Sequence, residues 1–140
     1  MIVLDTNVVS ETMRPTPNHD VVDWLNRQDI QTLYLTAVSL AELRFGIAQL
    51  DDGKAKANLT ERLEKMLALI FEDRVLPFST EAAKAFANGM TAAKRKGCAV
   101  GFQDGMIAAS IAVKGFTIAT RDIGPFEAMG VPFINPFDPA

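Results

Sequence analysis

Short apolar runs alternate with amphipathic helical patterns along this chain of 140 residues, and that alternation limits the folds it can adopt. Each apolar run is too short for a helix and is bounded by turn-forming residues, so it predicts a buried strand. The predicted strands cover residues 2–4, 33–36, 75–78, 117–120 and 133–134. Buried strands that are joined by helices indicate a mostly parallel sheet with helices on both faces. We therefore expect an α/β fold, a three-layer α/β/α sandwich.

The helical segments between these strands are marked by caps and by apolar stripes. Asn18 is a typical N-cap residue, while Gly97 and Gly115 are typical of helix ends. The predicted helices cover residues 7–13, 38–50, 56–73, 80–96, 102–114 and 125–129, with a further helix that starts after Asn18. No linker, repeat or low-complexity tract interrupts the alternation, so we expect a single domain over residues 1–140.

Composition and charge exclude several classes of protein. A hydrophobic content of 49% suits a compact globule and excludes a disordered chain. No apolar run approaches the roughly 20 residues that a membrane span needs, and no secretory leader pattern precedes the first strand. The single cysteine, Cys98, excludes an internal disulfide and a cysteine zinc site, so we expect a cytoplasmic protein. The net charge of −3 argues against duplex DNA binding by this chain alone.

Four acidic residues lie where predicted strands end or predicted helices begin. Asp5 closes the first strand and Asp122 follows the fourth. Glu42 and Asp104 lie in the first turns of two helices. In βαβ units the carboxyl ends of strands and the N-termini of helices share one edge of the sheet, so we expect these carboxylates to converge. Converging carboxylates repel one another, and a divalent cation with oxygen ligands relieves that repulsion.

Each acid also has an ordinary structural explanation, because carboxylates near turns and in first helical turns satisfy the local backbone and the helix dipole. The neighbours of Glu42 and Asp104 argue against that explanation. Neither residue has Lys or Arg three or four positions away, and most neighbours at those positions are apolar or small. A solvated acid more often faces a cation across one helical turn. We therefore interpret the four acids as one candidate site.

Four motifs around these acids resemble those of a known family. They are Leu4-Asp5-Thr6-Asn7, Ala41-Glu42-Leu43-Arg44-Phe45-Gly46, Gln103-Asp104-Gly105-Met106-Ile107-Ala108-Ala109 and Ala119-Thr120-Arg121-Asp122. In motif order and spacing the chain resembles the PIN-domain ribonucleases, and within them the VapC-type toxins of toxin–antitoxin pairs in the FitB-like subgroup. One departure from the family pattern is Gly105-Met106 after the third acid, which we expect to be harmless because those positions vary in character.

The resemblance implies a PIN-like nuclease domain over residues 1–140, a metal-dependent endoribonuclease that hydrolyses RNA phosphodiester bonds. It implies that the catalytic residues, which would also hold Mg²⁺ or Mn²⁺, are Asp5, Glu42, Asp104 and Asp122. It implies that the residues that orient these acids through hydrogen bonds are Thr6, Asn7 and Thr120. Hard oxygen ligands suit Mg²⁺ or Mn²⁺ better than they suit thiophilic metals.

The resemblance also implies partners. The chain is expected to be the toxin of a type II toxin–antitoxin system, a homodimer that is inhibited by a ribbon-helix-helix antitoxin and meets operator DNA only through that antitoxin. Two helices carry more apolar residues than a small sheet needs, and they predict a groove for an amphipathic antitoxin segment. These residues are Phe45, Ile47 and Leu50 on one helix and Leu59, Leu63 and Leu67 on the other.

Two other functions and the roles of two arginines stay open at this point. A phosphatase of the haloacid dehalogenase type also begins with a strand, an Asp and a Thr-rich loop. Its general acid, two positions after the nucleophile, is replaced here by Asn7. A PIN-like module without catalysis, acting as co-repressor with an antitoxin, is the other alternative. Arg44 and Arg121 flank two of the acids and either brace them or contact phosphate, and we favour bracing for both.

Overall fold

Five strands form one parallel sheet at the centre of the molecule. The computed structural model describes residues 1–138. Its strands are β1 (Ile2–Leu4), β2 (Leu33–Thr36), β3 (Val75–Leu76), β4 (Thr117–Ala119) and β5 (Phe133–Ile134). They lie in the order β3-β2-β1-β4-β5, and every pairing between them is parallel. The expected α/β fold with a parallel sheet is therefore confirmed.

Seven α-helices connect these strands in the described part of the chain. They are α1 (Thr6–Thr12), α2 (His19–Asn26), α3 (Ala37–Ala48), α4 (Lys54–Met66), α5 (Thr80–Arg95), α6 (Phe102–Ala112) and α7 (Gly124–Ala128). Asn18 caps α2 as predicted, because its Oδ1 accepts the backbone N–H of Asp20 at 2.9 Å. Gly97 and Gly115 follow α5 and α6 with φ angles of +79° and +69°, as helix-ending glycines do. Among residues 1–138, no helix combines the length and the apolar character that crossing a bilayer requires.

The helices pack on both faces of the sheet through two separate apolar cores. One core contains Leu4 and Leu35 from the sheet together with Leu63 and Phe71. The other contains Val3 and Ile118 from the sheet together with the α6 and α7 residues Ile107 and Phe126. Because side chains alternate between the faces of a strand, neighbours such as Val3 and Leu4 belong to different cores. The molecule is thus the three-layer sandwich that the sequence predicted.

The order of the strands changes direction at β1. The chain adds β2 and β3 on one side of β1, and then adds β4 and β5 on the other side. Val3 in β1 is in register with Tyr34 in β2 and with Ile118 in β4. The carboxyl edge at such a switch point is where open parallel sheets form their ligand crevice. The residues that follow β1 and β4 therefore lie side by side at that crevice.

The helix predicted over residues 56–73 is shorter in the structure. The α4 helix ends at Met66, and Leu67–Phe71 form a wider π-helical turn. In that turn Phe71 is completely buried, whereas Leu69 is 76% exposed. This run is apolar throughout, so its periodicity does not mark the point where the α-helix ends.

Gly105, next to Asp104, lies at the contact between α5 and α6. A Cβ atom built on Gly105 would lie 2.6 Å from Met90 Sδ and 3.0 Å from a ring carbon of Phe86. Two large side chains of α5 thus fill the space that a side chain at position 105 would occupy. Gly105 is thus accommodated, and a side chain at this position would require the flexible end of Met90 and the ring of Phe86 to shift.

Gly105→Ala is expected to be less stable than Gly46→Ala by about 1–3 kcal/mol, because its added methyl group meets the side chains of Met90 and Phe86, which must shift to make room. Gly46→Ala is the matched control. Gly46 also lies in a helix beside an acid of the candidate site, but a Cβ atom there meets nothing within 4 Å. Alanine should stabilise that helix by up to about 1 kcal/mol. Urea unfolding of both variants measures the two effects, and equal stabilities would contradict the packing argument.

Candidate active site

The four predicted acids lie along the carboxyl edge of the sheet. Asp5 directly follows β1 and caps α1, because its Oδ1 accepts the backbone N–H of Thr6 at 2.8 Å. Asp122 follows the neighbouring strand β4. Glu42 lies in the second turn of α3, which begins where β2 ends, and Asp104 lies in the first turn of α6. The fold thus gathers acids that are distant in sequence at the switch point of the sheet.

The hydroxyl of Thr120 joins the loops that carry Asp5 and Asp122. Thr120 is completely buried, and its Oγ1 donates to Asp5 Oδ2 at 2.8 Å. The same oxygen accepts the backbone N–H of Asp122 at 3.0 Å and the side-chain amide of Asn7 at 3.3 Å. These bonds hold two acidic loops together although Asp5 and Thr120 are 115 positions apart in sequence.

Asn7 uses both ends of its side-chain amide at this edge. Its Nδ2 lies 3.3 Å from Asp5 Oδ2, and its Oδ1 accepts the backbone N–H of Arg121 at 3.1 Å. An amide in this position binds its neighbours but has no proton to give as a general acid. The geometry of Asn7 therefore argues against the phosphatase alternative.

Two polar atoms beside Asp5 are buried without a hydrogen-bond partner among residues 1–138, namely Glu42 Oε1 and Thr6 Oγ1. The Thr6 hydroxyl lies close enough to Glu42 to favour its ionised form, but the contact lacks the geometry of a hydrogen bond. Leaving a buried polar atom unpaired costs about 1–3 kcal/mol. The Glu42 oxygen is therefore well suited to receive a water molecule or a cation.

Burial and mutual repulsion raise the pKa of three of the four carboxyl groups. Desolvation by burial is the largest cause for Asp5, Glu42 and Asp104. The charge of Asp5 further raises the pKa of Glu42 and of Asp104, and the charge of Asp122 raises the pKa of Asp5 and of Asp104. The four groups thus form one electrostatic cluster, and Asp5 lies at its centre.

The chemistry of this cluster fits a hard divalent cation. All of its donors are carboxylate oxygens, and a bound cation would relieve their repulsion and pair the free oxygen of Glu42. In the described range 1–138, no three His, Cys, Asp or Glu side chains already stand in an arrangement that could hold a metal ion. The carboxylates of α3 and α6 would therefore have to turn toward an ion, while hydrogen bonds fix Asp5.

Two residues next to Glu42 do not take part in the cluster. Arg44 Nη1 lies 2.7 Å from Glu64 Oε1, so this arginine joins α3 to α4 through an exposed ion pair and does not brace the acids. Phe45 is 68% exposed. An exposed Phe45 is compatible with the groove that the sequence predicted beside α3, and it shows that the apolar residues around Glu42 do not all indicate burial.

Sequence reasoning missed a buried acid at the edge of the site, Glu11 in the last turn of α1. Glu11 is only 4% exposed, and its Oε2 accepts the backbone N–H of Asn18 at 2.9 Å. Arg14 Nη1 donates to both carboxylate oxygens, at 3.2 and 3.3 Å. The bond from Asn18 is the main reason why the pKa of Glu11 lies below its ordinary value. The sequence places Arg14 three positions after Glu11, but it gives no sign that the carboxylate is buried.

Comparison with known proteins assigns this arrangement to a family. The family model described as "PIN domain" matches residues 2–131. The chain belongs to the PIN-domain family. It is similar to the protein named "VapC ribonuclease Y4jK" from Sinorhizobium fredii, with 46% identity over 140 residues that cover 100% of both chains.

Further similarity extends to two other proteins. The chain is 44% identical to "Toxin FitB" of Neisseria gonorrhoeae over 137 residues, which cover 98% of this chain and 99% of the relative. The solved structure described as "FitAB bound to IR36 DNA fragment" matches with a TM-score of 0.93 and 43% identity, and covers 99% of this chain and 96% of that chain. The fold of this PIN domain is therefore shared along nearly the whole chain, while the roles of its side chains rest on the geometry above.

Asp104→Asn is expected to stabilise the metal-free PIN domain at neutral pH. Burial and neighbouring charges raise the folded-state pKa of Asp104, so its ionised form opposes folding. The gain in the free energy of unfolding is complete at pH values above that raised pKa. It fades as the pH falls toward the ordinary value of 3.8, because the wild-type carboxyl group is then protonated as well.

Urea unfolding in EDTA at several pH values measures this gain. Asp23→Asn is the matched control, since Asp23 is an exposed acid on α2 and should leave the free energy of unfolding nearly unchanged. An Asp104→Asn protein that is no more stable than wild type at neutral pH would contradict the repulsion argued for this cluster.

Proposed function

We propose that this chain is a metal-dependent endoribonuclease and the toxin of a type II toxin–antitoxin system that acts in the cytoplasm. The observation that carries the proposal is the cluster of coupled carboxylates around the buried Asp5, in the crevice of a PIN domain. Relatives of 46% and 44% identity are named as a VapC ribonuclease and as a toxin, which supports the reaction class and the role.

The proposed reaction is hydrolysis of an RNA phosphodiester bond. When bound, Mg²⁺ or Mn²⁺ supplies the Lewis acidity that activates a water molecule and offsets the charge that develops on the phosphate. The residues that would hold the ion are Asp5, Glu42, Asp104 and Asp122. Thr120 and Asn7 fix the Asp5 carboxylate through bonds of 2.8 and 3.3 Å, so it keeps its orientation when a phosphate enters the crevice. Such supporting residues commonly change metal affinity or activity by about 10–100-fold.

A ribbon-helix-helix antitoxin is the proposed partner, and operator DNA would be bound only through it. The solved relative of 43% identity is described as FitAB bound to a DNA fragment. The net charge of −3 gives the present chain no electrostatic attraction to DNA of its own. The acidic cluster would attract an Arg or Lys of the antitoxin, which would compete with the metal ion. The homodimer implied by the resemblance stays a prediction.

The structure offers two surfaces for the antitoxin segment, one where it was expected and one elsewhere. A cleft of about 310 Å³ lies between α3 and α4 and is lined by Ile47 and Leu63, but both residues are largely buried in the core, so they present little apolar surface. A groove of about 690 Å³ lies between α1, α2 and the end of α4. Its apolar lining includes Val9, Met13, Val22, Leu25, Met66, Leu69 and Ile70. We propose that an amphipathic segment of the antitoxin packs in this groove.

Asp104→Asn should reduce RNA cleavage by about 100-fold or more, because it removes a charge that holds the metal ion and stabilises the transition state. Asp5→Asn should be equally inactive. It also changes the carboxylate that accepts the hydrogen bonds of Thr120 and Asn7, so a loss of activity there is harder to separate from a change in structure. EDTA should stop the wild-type enzyme, and Mg²⁺ or Mn²⁺ should restore it. Full activity in the Asp104→Asn variant or in EDTA would sink the proposal.

Glu42→Gln tests whether α3 contributes to the reaction, and Glu61→Gln is its control. Glu61 is an exposed helical acid whose only role here is an ion pair of 3.3 Å with Lys65 on the surface of α4, as far as the described residues show. Cleavage of a labelled RNA should fall with Glu42→Gln and stay unchanged with Glu61→Gln. Equal activities would remove Glu42 from the site.

Expression of this chain alone should arrest growth, and co-expression of its antitoxin should restore it. Leu69→Lys places a charge in the proposed groove at a side chain that is 76% exposed, so it should weaken rescue without unfolding the protein. Leu50→Lys is the control, since Leu50 is an exposed leucine at the groove expected from the sequence. If rescue is lost with Leu50→Lys and kept with Leu69→Lys, the antitoxin binds the surface expected from the sequence and not this groove.

A further inference from the structure

Arg121 lies beside Asp122, yet its side chain has no part in the site described above. Its backbone N–H donates to Asn7 Oδ1 at 3.1 Å, which fixes where the side chain begins. From there the side chain reaches Glu11, whose Oε1 lies 3.5 Å from Arg121 Nη2. Asn7 and Glu11 are four positions apart and therefore lie on one face of α1, about one helical turn from each other. The guanidinium group thus lies about one helical turn from Asn7, among the side chains of Glu11, Arg14 and Phe137, a group that we call the rim.

Two contacts orient the guanidinium group. Its central carbon lies 3.9 Å from the centroid of the Phe137 ring, and its Nη2 faces Glu11. Phe137 packs against the apolar core, and its backbone N–H donates to Asn135 Oδ1 at 3.0 Å, so the ring is a fixed support. A cation–π contact at an exposed site contributes about 0.5–1 kcal/mol. Both contacts restrict the rotamers of Arg121, which reduces the entropy lost when the group binds a ligand.

These contacts leave more than half of the Arg121 side chain open to solvent. The Arg121 side chain is 57% exposed, and its 3.5 Å contact with Glu11 is at the outer limit of a hydrogen bond. Glu11 is already bound by shorter contacts, 2.9 Å from the Asn18 N–H and 3.2 Å from Arg14. Exposed ion pairs add little to stability. Bracing alone therefore does not account for an arginine that is held in place with most of its N–H donors unused.

Arg14, Arg121 and Glu11 together carry one net positive charge. The Glu11 carboxylate is shared between the guanidinium groups of Arg14 and Arg121, which leaves one positive charge without a partner in this trio. The adjacent cluster of carboxylates repels a polyanion that approaches the crevice. An oriented cation at the rim attracts a phosphate of the RNA backbone and so helps the strand to align against this cluster.

We propose that Arg121 binds a phosphate group of the RNA backbone next to the bond that is cleaved, and that Glu11 and Phe137 position it for that contact. The proposal rests on the ribonuclease function proposed above and adds how the substrate is held. A guanidinium fork matches the oxygens of a phosphate and recognises the backbone without reading bases. Arg121 is then a substrate-binding residue, whereas Arg44, paired with Glu64, is structural.

The test is binding of a fluorescein-labelled single-stranded RNA, followed by fluorescence anisotropy in the uncleaving Asp104→Asn background with Mg²⁺ present. Adding Arg121→Gln should weaken binding about 10-fold, and should reduce the slope of log affinity against log salt by about 0.7 because one phosphate contact is lost. Arg121→Lys keeps the charge and should retain the slope while losing part of the affinity. Arg44→Gln is the matched control and should change neither quantity.

Phe137→Leu separates orientation from charge. It removes the ring beneath the guanidinium group but keeps the arginine, so the salt slope should persist while the cleavage rate of the otherwise wild-type enzyme falls. Thermal unfolding of each variant checks that it folds. If Arg121→Gln does not fold, the RNA affinity and the salt slope of Arg121→Lys decide the question instead.

The outcomes separate this inference from the function on which it rests. An Asp104→Asn parent that binds no RNA overturns the present inference, while RNA cleavage by the wild-type protein decides the proposed ribonuclease separately. A parent that binds RNA while the folded Arg121→Gln variant binds equally well, with an unchanged salt slope, overturns the role of Arg121 alone. Equal losses of RNA affinity for Arg121→Gln and Arg44→Gln would show that only the net charge of the protein matters, and would likewise overturn the role of Arg121.

Discussion

The hydrogen bond from Thr120 to Asp5 is the contact on which the arrangement of the candidate site depends. It links the ends of two adjacent parallel strands, β1 and β4, across the switch point of the sheet. Asp5 and Asp122 repel each other, so their loops need such a link to stay together. Because Thr120 also accepts the backbone N–H of Asp122, one buried hydroxyl fixes the position of one acid and the backbone of the next.

The acidic cluster opposes folding, and the packing around it has to compensate. Three of its carboxyl groups have raised pKa values, and one oxygen of Glu42 is buried without a partner among residues 1–138. The two apolar cores on either side of the sheet hold the helices that carry these acids. At Gly105 that packing is so close that an added methyl group would displace the side chains of Met90 and Phe86. The packing around these carboxyl groups thus offsets the cost of burying them.

The short helix α1 connects three parts of the molecule that the proposals treat separately. Asn7 in its first turn binds the Asp5 carboxylate and the backbone of Arg121. Glu11, one turn later, contacts the Arg121 guanidinium group, while Val9 lines the apolar groove on another face of the helix. A partner segment in that groove would therefore lie close to the groups that are proposed to bind and orient the substrate. This proximity gives the proposed antitoxin a short path from docking to inhibition.

The sequence by itself determined the parallel α/β fold, the bounds of most elements and the edge where the acids meet, because strand length, helix caps and βα alternation are local properties. Its motifs also indicated the family. Only the tertiary structure decided that Glu11 is buried and that a further apolar groove lies beside α1. It also decided that Arg121 rests on Phe137, sixteen positions further along. Burial and such distant contacts depend on which surfaces of the elements meet, and no local pattern in the chain encodes that choice.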